Sequence, residues 1–490
     1  MPFQPVVLWT DALVYLLVAA IVVLAWYVRR HEHLRAPWAR VARSRSGMCA
    51  LVVLCAFAAV GLLDSVHYRP RLDTGGSTPG GQVNYAAEVR SAFDALADGL
   101  RTRTERTYSA PLAAYAFARE SLTRPDGTQA REFPRLRHGG VHLQDPATQR
   151  WPDIGRKTLA GLALGLAAWT LLSMTLAALL AARRRRGFAD ALSDLVHART
   201  EVPWRAMLVT AGLLLAVAGP VYVLGNAYHV LGTDKVGQDI LYQALKSIRT
   251  GLVIGTLTTL VMLPFAVVLG LMAGYFKGWI DDLVQYVYTT LSSIPGVLLI
   301  AASVLLTQVW MDNRPELFET VSERADVRLL FLCLILGVTG WTGLCRLLRG
   351  EALKLRETDY VQAARAFGVR DARILSRHLL PNVMHIVLIA AVMDFSGLVL
   401  AEAVLSYIGV GVDPSMISFG TMINNARLEL AREPMVWWSL AAAFVFMFVL
   451  VLAANLFSDA VRDAFDPRMR SSWALPAMFR PAQRLRARSA

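Results

Sequence analysis

Nine separate apolar runs of about 20 residues constrain this chain more than any other feature. With soft ends, they occupy 10–28, 47–66, 158–181, 206–225, 250–274, 283–308, 329–348, 383–409 and 437–457. A helix rises about 1.5 Å per residue, so each run can cross the roughly 30 Å of hydrocarbon in a bilayer. Backbone polar groups must be paired internally there, and the runs lack the polar alternation of barrel strands, so they read as helices. At 55% hydrophobic residues and a mean hydropathy of +0.43, the 490 residues carry more apolar mass than one aqueous core can bury. The expected fold class is an all-α polytopic membrane protein with about nine transmembrane helices.

Arginines orient those helices. Segment 28–45 holds six, 183–205 holds six, 346–380 holds eight Lys or Arg, and 459–490 holds seven arginines. The alternate loops are poorer: 309–328 has more acids than bases, and the only bases in 410–434 are Arg427 and Arg432. Positive charge favours the cytoplasmic side, which puts the N-terminus outside and the C-terminus in the cytoplasm. The +13 net charge is accounted for by topology, because the arginines flank spans and form no single basic face for nucleic acid. Met1 to Thr10 contains no Lys or Arg, so the first run is expected to be an anchor and not a cleaved signal peptide.

The N-terminal part is unlike the rest. Two spans in 1–66 precede a polar insert, 67–157, which topology makes extracytoplasmic; a third span and a basic loop fill 158–200. A Gly/Pro/Ser stretch from Thr74 to Gly81 is expected to be a flexible junction. Tyr85, Val89, Phe93, Leu96 and Leu100 recur at helical spacing and predict an amphipathic helix, with Pro111 ending or kinking the next segment. His138 and His142 lack a third ligand nearby, and His31-Glu32-His33 is too tightly spaced for ligation from one helix, so no metal site is expected. Cys49, Cys55, Cys333 and Cys345 lie in or beside spans and form no disulfide framework.

Between the seventh and eighth runs lies a charged stretch, Asp359-Tyr360-Val361-Gln362-Ala363-Ala364-Arg365-Ala366-Phe367-Gly368, then a basic segment and Leu380-Pro381-Asn382. Tyr360, Ala363, Ala364 and Phe367 share one face of a short helix, and the alanines let that face approach another protein closely. Gly368 supplies a positive backbone angle to end it. Asp371 is the expected N-cap of the next helix, Ala372, Leu375 and Leu379 form a second stripe, and Pro381 suits a first helical turn. The spacing resembles the coupling loop of ABC-importer permeases, which runs Glu-Ala-Ala, three residues, Gly, nine residues, Ile, one residue, Leu-Pro. Gln362 stands in place of the Glu and His378 in place of the Ile.

The resemblance extends over 201–470. His229-Val230-Leu231-Gly232-Thr233-Asp234 with Gly237-Gln238-Asp239 is similar to an element of the dipeptide/oligopeptide/nickel permease family, C-type subunit, with Gln238 where Arg is usual. Ser293-Ile294-Pro295-Gly296, Leu400-Ala401-Glu402-Ala403, Gly409-Val410-Gly411 and Asp466-Pro467-Arg468 come next in the family's order. This resemblance implies a six-helix permease core formed by spans four to nine; the arginine distribution, not the resemblance, makes 471–490 an expected basic cytoplasmic tail. The resemblance also implies a bacterial inner-membrane location, with membrane lipid around the chain, a second homologous permease and an extracytoplasmic substrate-binding protein. Two ABC ATPase subunits complete the set, with Tyr360, Gln362, Ala363, Ala364, Phe367, Gly368, Leu380 and Pro381 forming the coupling loop to one of them.

None of the five lysines sits in a Gly-x-x-x-x-Gly-Lys-Ser/Thr loop. ATP is therefore expected on the partner subunits, and this chain is expected to be no enzyme and to need no cofactor. The expected cargo is peptide, with a nickel chelate or another small solute as the alternative. A secondary transporter is the weaker reading, since it would show an internal hydropathy repeat and need no coupling loop. Asp394 and Glu402 lie in the eighth run, about 80° apart around a helix. Charge in hydrocarbon is costly, so both are substrate-pathway candidates, with helix packing the favoured role for Glu402. Pro264 and Pro295 are expected to kink their helices.

Overall fold

The computed structural model describes residues 3–30, 32–71, 85–123, 129–185, 187–318 and 320–465. His31, the junction Thr74 to Gly81, Asp466-Pro467-Arg468 and the tail 471–490 lie outside the described residues.

Strand β1 (Phe3–Val6) leads into α1 (Trp9–Arg30), a short basic helix α2 (Glu32–Val41) and α3 (Arg45–Asp64). Ser44 caps α3 by accepting a hydrogen bond from the Gly47 N–H. β2 (His67–Pro70) runs antiparallel to β1 with Phe3 opposite Pro70, and β3 (Arg90–Ser91) pairs with the other edge of β2. Chain entering the first span and leaving the second thus meets on one side, as two crossings require.

The amphipathic helix expected from Tyr85 to Leu100 does not form as one piece. Ser91 and Asp94 build a reciprocal capping box, which starts α4 (Ala92–Leu96) only at Ala92, and a separate α5 (Asp98–Thr102) comes after it. Tyr85 instead bridges Arg71 in extended chain; Phe93 is buried, but Leu96 is exposed. Local capping chemistry has overridden an apolar periodicity. β4 (Glu120–Thr123) and β5 (Gln129–Glu132) form a separate antiparallel pair.

Helix α6 (Pro146–Arg184) begins inside the predicted insert, because Asp145 caps it through the Ala147 N–H and Pro146 takes the first turn. After α7 (Phe188–Val196) in the basic loop, α8 (Trp204–Gly225) packs back along α6. A Cβ on Gly161 would sit 2.4 Å from Pro220 Cα, and one on Gly219 would sit 2.2 Å from the Gly161 carbonyl oxygen. Gly161 and Gly165 therefore form the small-residue surface by which membrane helices approach closely. The Trp169 indole N–H donates to the Leu208 carbonyl at 2.7 Å across the same contact.

The central helix, α9 (Ile240–Phe276), runs unbroken past Pro264. The sixth apolar run is instead divided: α10 (Trp279–Ser293) and α11 (Gly296–Asp312) meet at 88°. Pro295 forces Ile294 into extended backbone, with ψ 132, and ends the first segment. α12 (Val321–Gly340) and α13 (Thr342–Arg356) come next with only Trp341 between them. Then come α14 (Asp359–Ala366), α15 (Asp371–Ile374), α16 (Leu380–Ile408), α17 (Phe419–Glu429) and α18 (Trp438–Phe465). Among the described residues eight helices are long and apolar enough to cross a membrane, or nine if the bent pair is one span.

Contacts sort the helix ends into two sets. Arg43 pairs with Glu201, Lys277 with Glu357, and Trp38 packs edge-on against Phe465 at one end. Lys246 with Asp94, Arg324 with Asp312, and Phe117 against Trp438 belong to the other. The sets alternate along the chain as nine crossings demand. The insert is also interlocked with the core and does not hang beside it. The Tyr242 hydroxyl donates to Asp94 at 2.7 Å, and the Ser109 N–H donates to Thr233 Oγ1 at 2.7 Å.

Candidate coupling site and membrane pathway

The predicted coupling segment is an eight-residue helix, α14, held by two inward anchors. Val361 is 1% exposed and joins Tyr275, Leu348, Ala352, Ile374 and Leu379 in one apolar cluster; Ala364, one turn on, packs half-buried against it. Tyr360 and Ala363 face outward, and Phe367 is 88% exposed. The outward apolar face is therefore Tyr360, Ala363 and Phe367, and Ala364 belongs to the opposite, anchoring side. Three and four residues of spacing put Val361 with Ala364 and Tyr360 with Ala363 and Phe367. The sequence pattern had merged two faces.

Gly368 has φ +74, while a Cβ there would meet nothing within 4 Å. Its requirement is one of backbone angle, not space. The N–H groups of Gly368 and Val369 donate to the carbonyls of Arg365 and Ala364, closing the end of α14. Asp371 is not the cap of the next helix; Arg370 holds that position, and Asp371, the first helical residue, accepts from the Tyr275 hydroxyl at 2.6 Å. That bond ties the loop to the end of α9. Of the predicted second stripe, Ala372 is exposed, Leu375 half-buried and Leu379 buried, with Ile374 adding a buried anchor.

Residues Leu375–Leu379 form a π turn that runs straight into α16, so Pro381 sits near the start of α16 but not after a break. The wider turn accommodates a residue that has no N–H to donate. Leu380 packs half-buried on the same apolar cluster as Val361. The Asn382 amide donates to Tyr360 Oη at 3.0 Å and to the His378 carbonyl at 2.7 Å, linking both ends of the loop. Gln362 lies exposed and its amide donates to Glu357 Oε2 at 3.3 Å. The Lys277 ammonium, 3.0 Å from Glu357, holds that carboxyl below its usual range.

Neither in-membrane acid meets the other. Glu402 is fully buried, and Ser406 Oγ donates to its Oε1 at 2.7 Å. Gly411 and Gly420 crowd Ser406 so closely that a Cβ on either would lie within 2.5 Å of its side chain, which makes this a packed junction of α16 with the start of α17. Asp394 is half-buried, and no side-chain partner for it exists among the described residues.

Sequence reasoning missed two charged clusters, both at span ends. Arg249 is 6% exposed; its Nη2 donates to Asp11 Oδ1 at 2.6 Å and to Thr10 Oγ1 at 3.0 Å, and lies 3.7 Å from Asp326. The Thr10 N–H donates to Asp326 at 3.0 Å, and His67 Nδ1 lies 2.7 Å from Asp11. The signal was present in Thr10-Asp11, Arg249 and Asp326 flanking apolar runs, but their mutual placement was not.

The second cluster is built on the His229–Asp239 element. His229 Nδ1 lies 2.8 Å from Asp239, and its Nε2 lies 3.4 Å from Glu105 of the insert. Burial alone would lower the imidazole, but the flanking carboxylates of Asp239 and Glu105 hold it up at about 9. Burial likewise pushes Glu105 up, yet His229 and the N–H groups of Arg137, His138 and Gly139 bring it down to about 2. Beside Gln238, which stands where the resemblance led us to expect Arg, Asp234 accepts from the Gln243 amide at 2.7 Å and from two backbone N–H groups, and no cation pairs with it among the described residues.

Residues 266–471 match the family model described as binding-protein-dependent transport system inner membrane component. The chain is 34% identical over 243 residues to the oligopeptide transport system permease protein OppC of Mycobacterium tuberculosis, covering 50% of this chain and 77% of that one. It is 32% identical over 248 residues to the glutathione transport system permease protein GsiD of Pectobacterium atrosepticum, covering 50% and 75%. With the dipeptide transport system permease protein DppC of Bacillus subtilis it shares 29% over 245 residues, covering 50% and 70%.

Proposed function

The chain belongs to the family of inner-membrane components of binding-protein-dependent transport systems, the multi-pass permease subunits of ABC importers, and on that premise we propose that it conducts peptides into the cytoplasm using energy from separate ATPase subunits. The observation that carries the coupling claim is α14, a short helix anchored through Val361 that presents Tyr360, Ala363 and Phe367 outward. With Tyr360 and Ala363, the 88% exposed Phe367 makes a contiguous apolar face on a firmly held helix, the kind of surface a protein partner covers. Gly368 fixes the angle at which that face is offered, and Leu380 and Pro381 carry movement of the loop into α16.

In this reading the core is 201–470, and a second homologous permease completes the passage. Two ATPases bind all the nucleotide, and an extracytoplasmic binding protein delivers cargo. The N-terminus and insert face outward; the coupling loop and C-terminus face the cytoplasm, in keeping with the arginine distribution. Nucleotide-driven closure of the ATPases biases two arrangements of the loop and its attached spans, which is the requirement for coupling. Peptide cargo is supported by relatives named for oligopeptide, dipeptide and glutathione transport.

The test is reconstitution of the tagged chain, its co-encoded permease and its ATPases in proteoliposomes with the binding protein. ATP-dependent uptake of labelled trialanine is expected. Uptake of a nickel chelate without any peptide uptake would replace the cargo, and absence of a copurifying ATPase would sink the coupling claim.

A further inference from the structure

Helix α10 has three faces at 100° per residue. Val284 and Tyr288 are buried toward α9 and α13, and on the same side Asp281 accepts both Nε–H and Nη2–H of Arg349, at 2.5 and 2.7 Å. Leu283 and Val287 lie exposed on a second, apolar face suited to lipid. The third face carries Asp282, Gln285, Tyr286, Thr289, Thr290 and Ser293, a shallow, widely open polar surface formed by this helix alone. All but the half-buried Gln285 are exposed. The hydroxyls of Tyr286, Thr289 and Thr290 make no hydrogen bond among the described residues.

Lipid cannot be what covers this face. Leaving an amide or hydroxyl unpaired in an apolar medium costs about 1–3 kcal/mol each on protein-derived scales. The stripe also ends at the 88° break, where Ile294, Pro295 and Gly296 are exposed and the helix ladder is interrupted. Non-helical backbone within a span is tolerated only where protein covers it or water reaches it. From Asp282 to Ser293 the stripe rises about 16 Å. Its hydroxyl and amide groups each donate and accept, so they match the N–H and C=O of any peptide bond whatever the side chain.

We propose that this stripe of α10 lines the water-filled passage and hydrogen-bonds the backbone of the peptide moving through it. The assignment rests on the permease reading and adds its contact residues, which lie on the broken sixth span and not at the acids of α16. It makes recognition within the membrane tolerant of cargo sequence.

The experiment uses the full transporter with Cys49, Cys55, Cys333 and Cys345 replaced, and single cysteines introduced as Thr289→Cys, Ser293→Cys, Leu283→Cys and Val287→Cys. A membrane-impermeant methanethiosulfonate should modify the first two and not the last two, and trialanine supplied with the binding protein should slow that modification. Thr289→Val with Thr290→Val should raise the KM for trialanine roughly five- to tenfold, with unchanged assembly. Inert cysteines at 289 and 293, or their crosslinking to the partner permease, would overturn the passage assignment. Modification without protection by trialanine, or an unchanged KM, would overturn the backbone contact. A wild-type complex that takes up no trialanine would refute the peptide reading alone, and the labelling pattern would still judge the stripe.

Discussion

Replacing Asp11 with Asn tests whether the N-terminal helix is locked to the transport core by buried charge. Arg249 lies 2.6 Å from Asp11 and 3.7 Å from Asp326, and only 6% of it reaches the surface. Unit charges near 3 Å attract by about 6 kcal/mol at an effective dielectric of 20. Most of that is offset by desolvation, so the measurable quantity is the cost of orphaning one partner, about 3–5 kcal/mol. Asp326 remains to hold part of the guanidinium charge, which places Asp11→Asn near the lower end, about 3 kcal/mol, or roughly a hundredfold in the unfolding equilibrium. Arg249→Met should cost more, because it leaves Asp11 and Asp326 buried together without their cation. The double variant should be more stable than the sum of the two singles predicts, since the atoms are in contact. A denaturant titration of the purified protein in detergent micelles measures all three. If Asp11→Asn stays within about 0.5 kcal/mol of wild type, the range of an ordinary surface substitution, the charge network is solvated and the reasoning fails.

Gly368→Val should cost about 1–2 kcal/mol of local strain at φ +74, abolish transport and leave membrane insertion intact; uptake and membrane yield check this. Phe367→Ala should weaken ATPase copurification with little loss of stability, because the ring is 88% exposed, whereas Ala364→Asp should destabilise the loop itself by several kcal/mol; thermal melts separate the two. The His229–Glu105 contact gives a pH signature for docking of the insert. His229, raised to about 9, contributes fully below its unfolded value near 6.5 and loses that contribution as pH rises through about 9. Glu105, lowered to about 2, contributes fully above about 4.5 and loses it as pH falls toward 2. Proteolysis of the insert should accordingly rise in the alkaline limb, and His229→Asn should remove that limb.

Much of the fold was legible because hydrophobic length is a local property. The helices fall where the apolar runs lie, with ends shifted outward where a cap such as Asp145 or Asp239 begins the helix earlier than hydropathy does. The turn at Gly368 was legible for a similar reason, since its spacing within a short charged helix is written in adjacent residues. The insert was less so. Its apolar periodicity suggested one helix, but the Ser91–Asp94 box and the pairing of β2 with β1 depend on hydrogen bonds that periodicity does not register.

The sequence by itself determined that this chain is a multi-pass membrane protein and where a short charged helix with its glycine turn separates two apolar runs, because burying apolar length in lipid requires no knowledge of neighbours. Tertiary structure alone decided which residues share a face. It turned Ala364 inward beside Val361, seated Glu402 in a helix junction, and brought Thr10, Asp11, Arg249 and Asp326 together across as many as 316 positions of chain. Those placements result from helices packing against one another, where half a turn of rotation about the helix axis exchanges a buried surface for an exposed one, and a linear pattern does not encode that rotation.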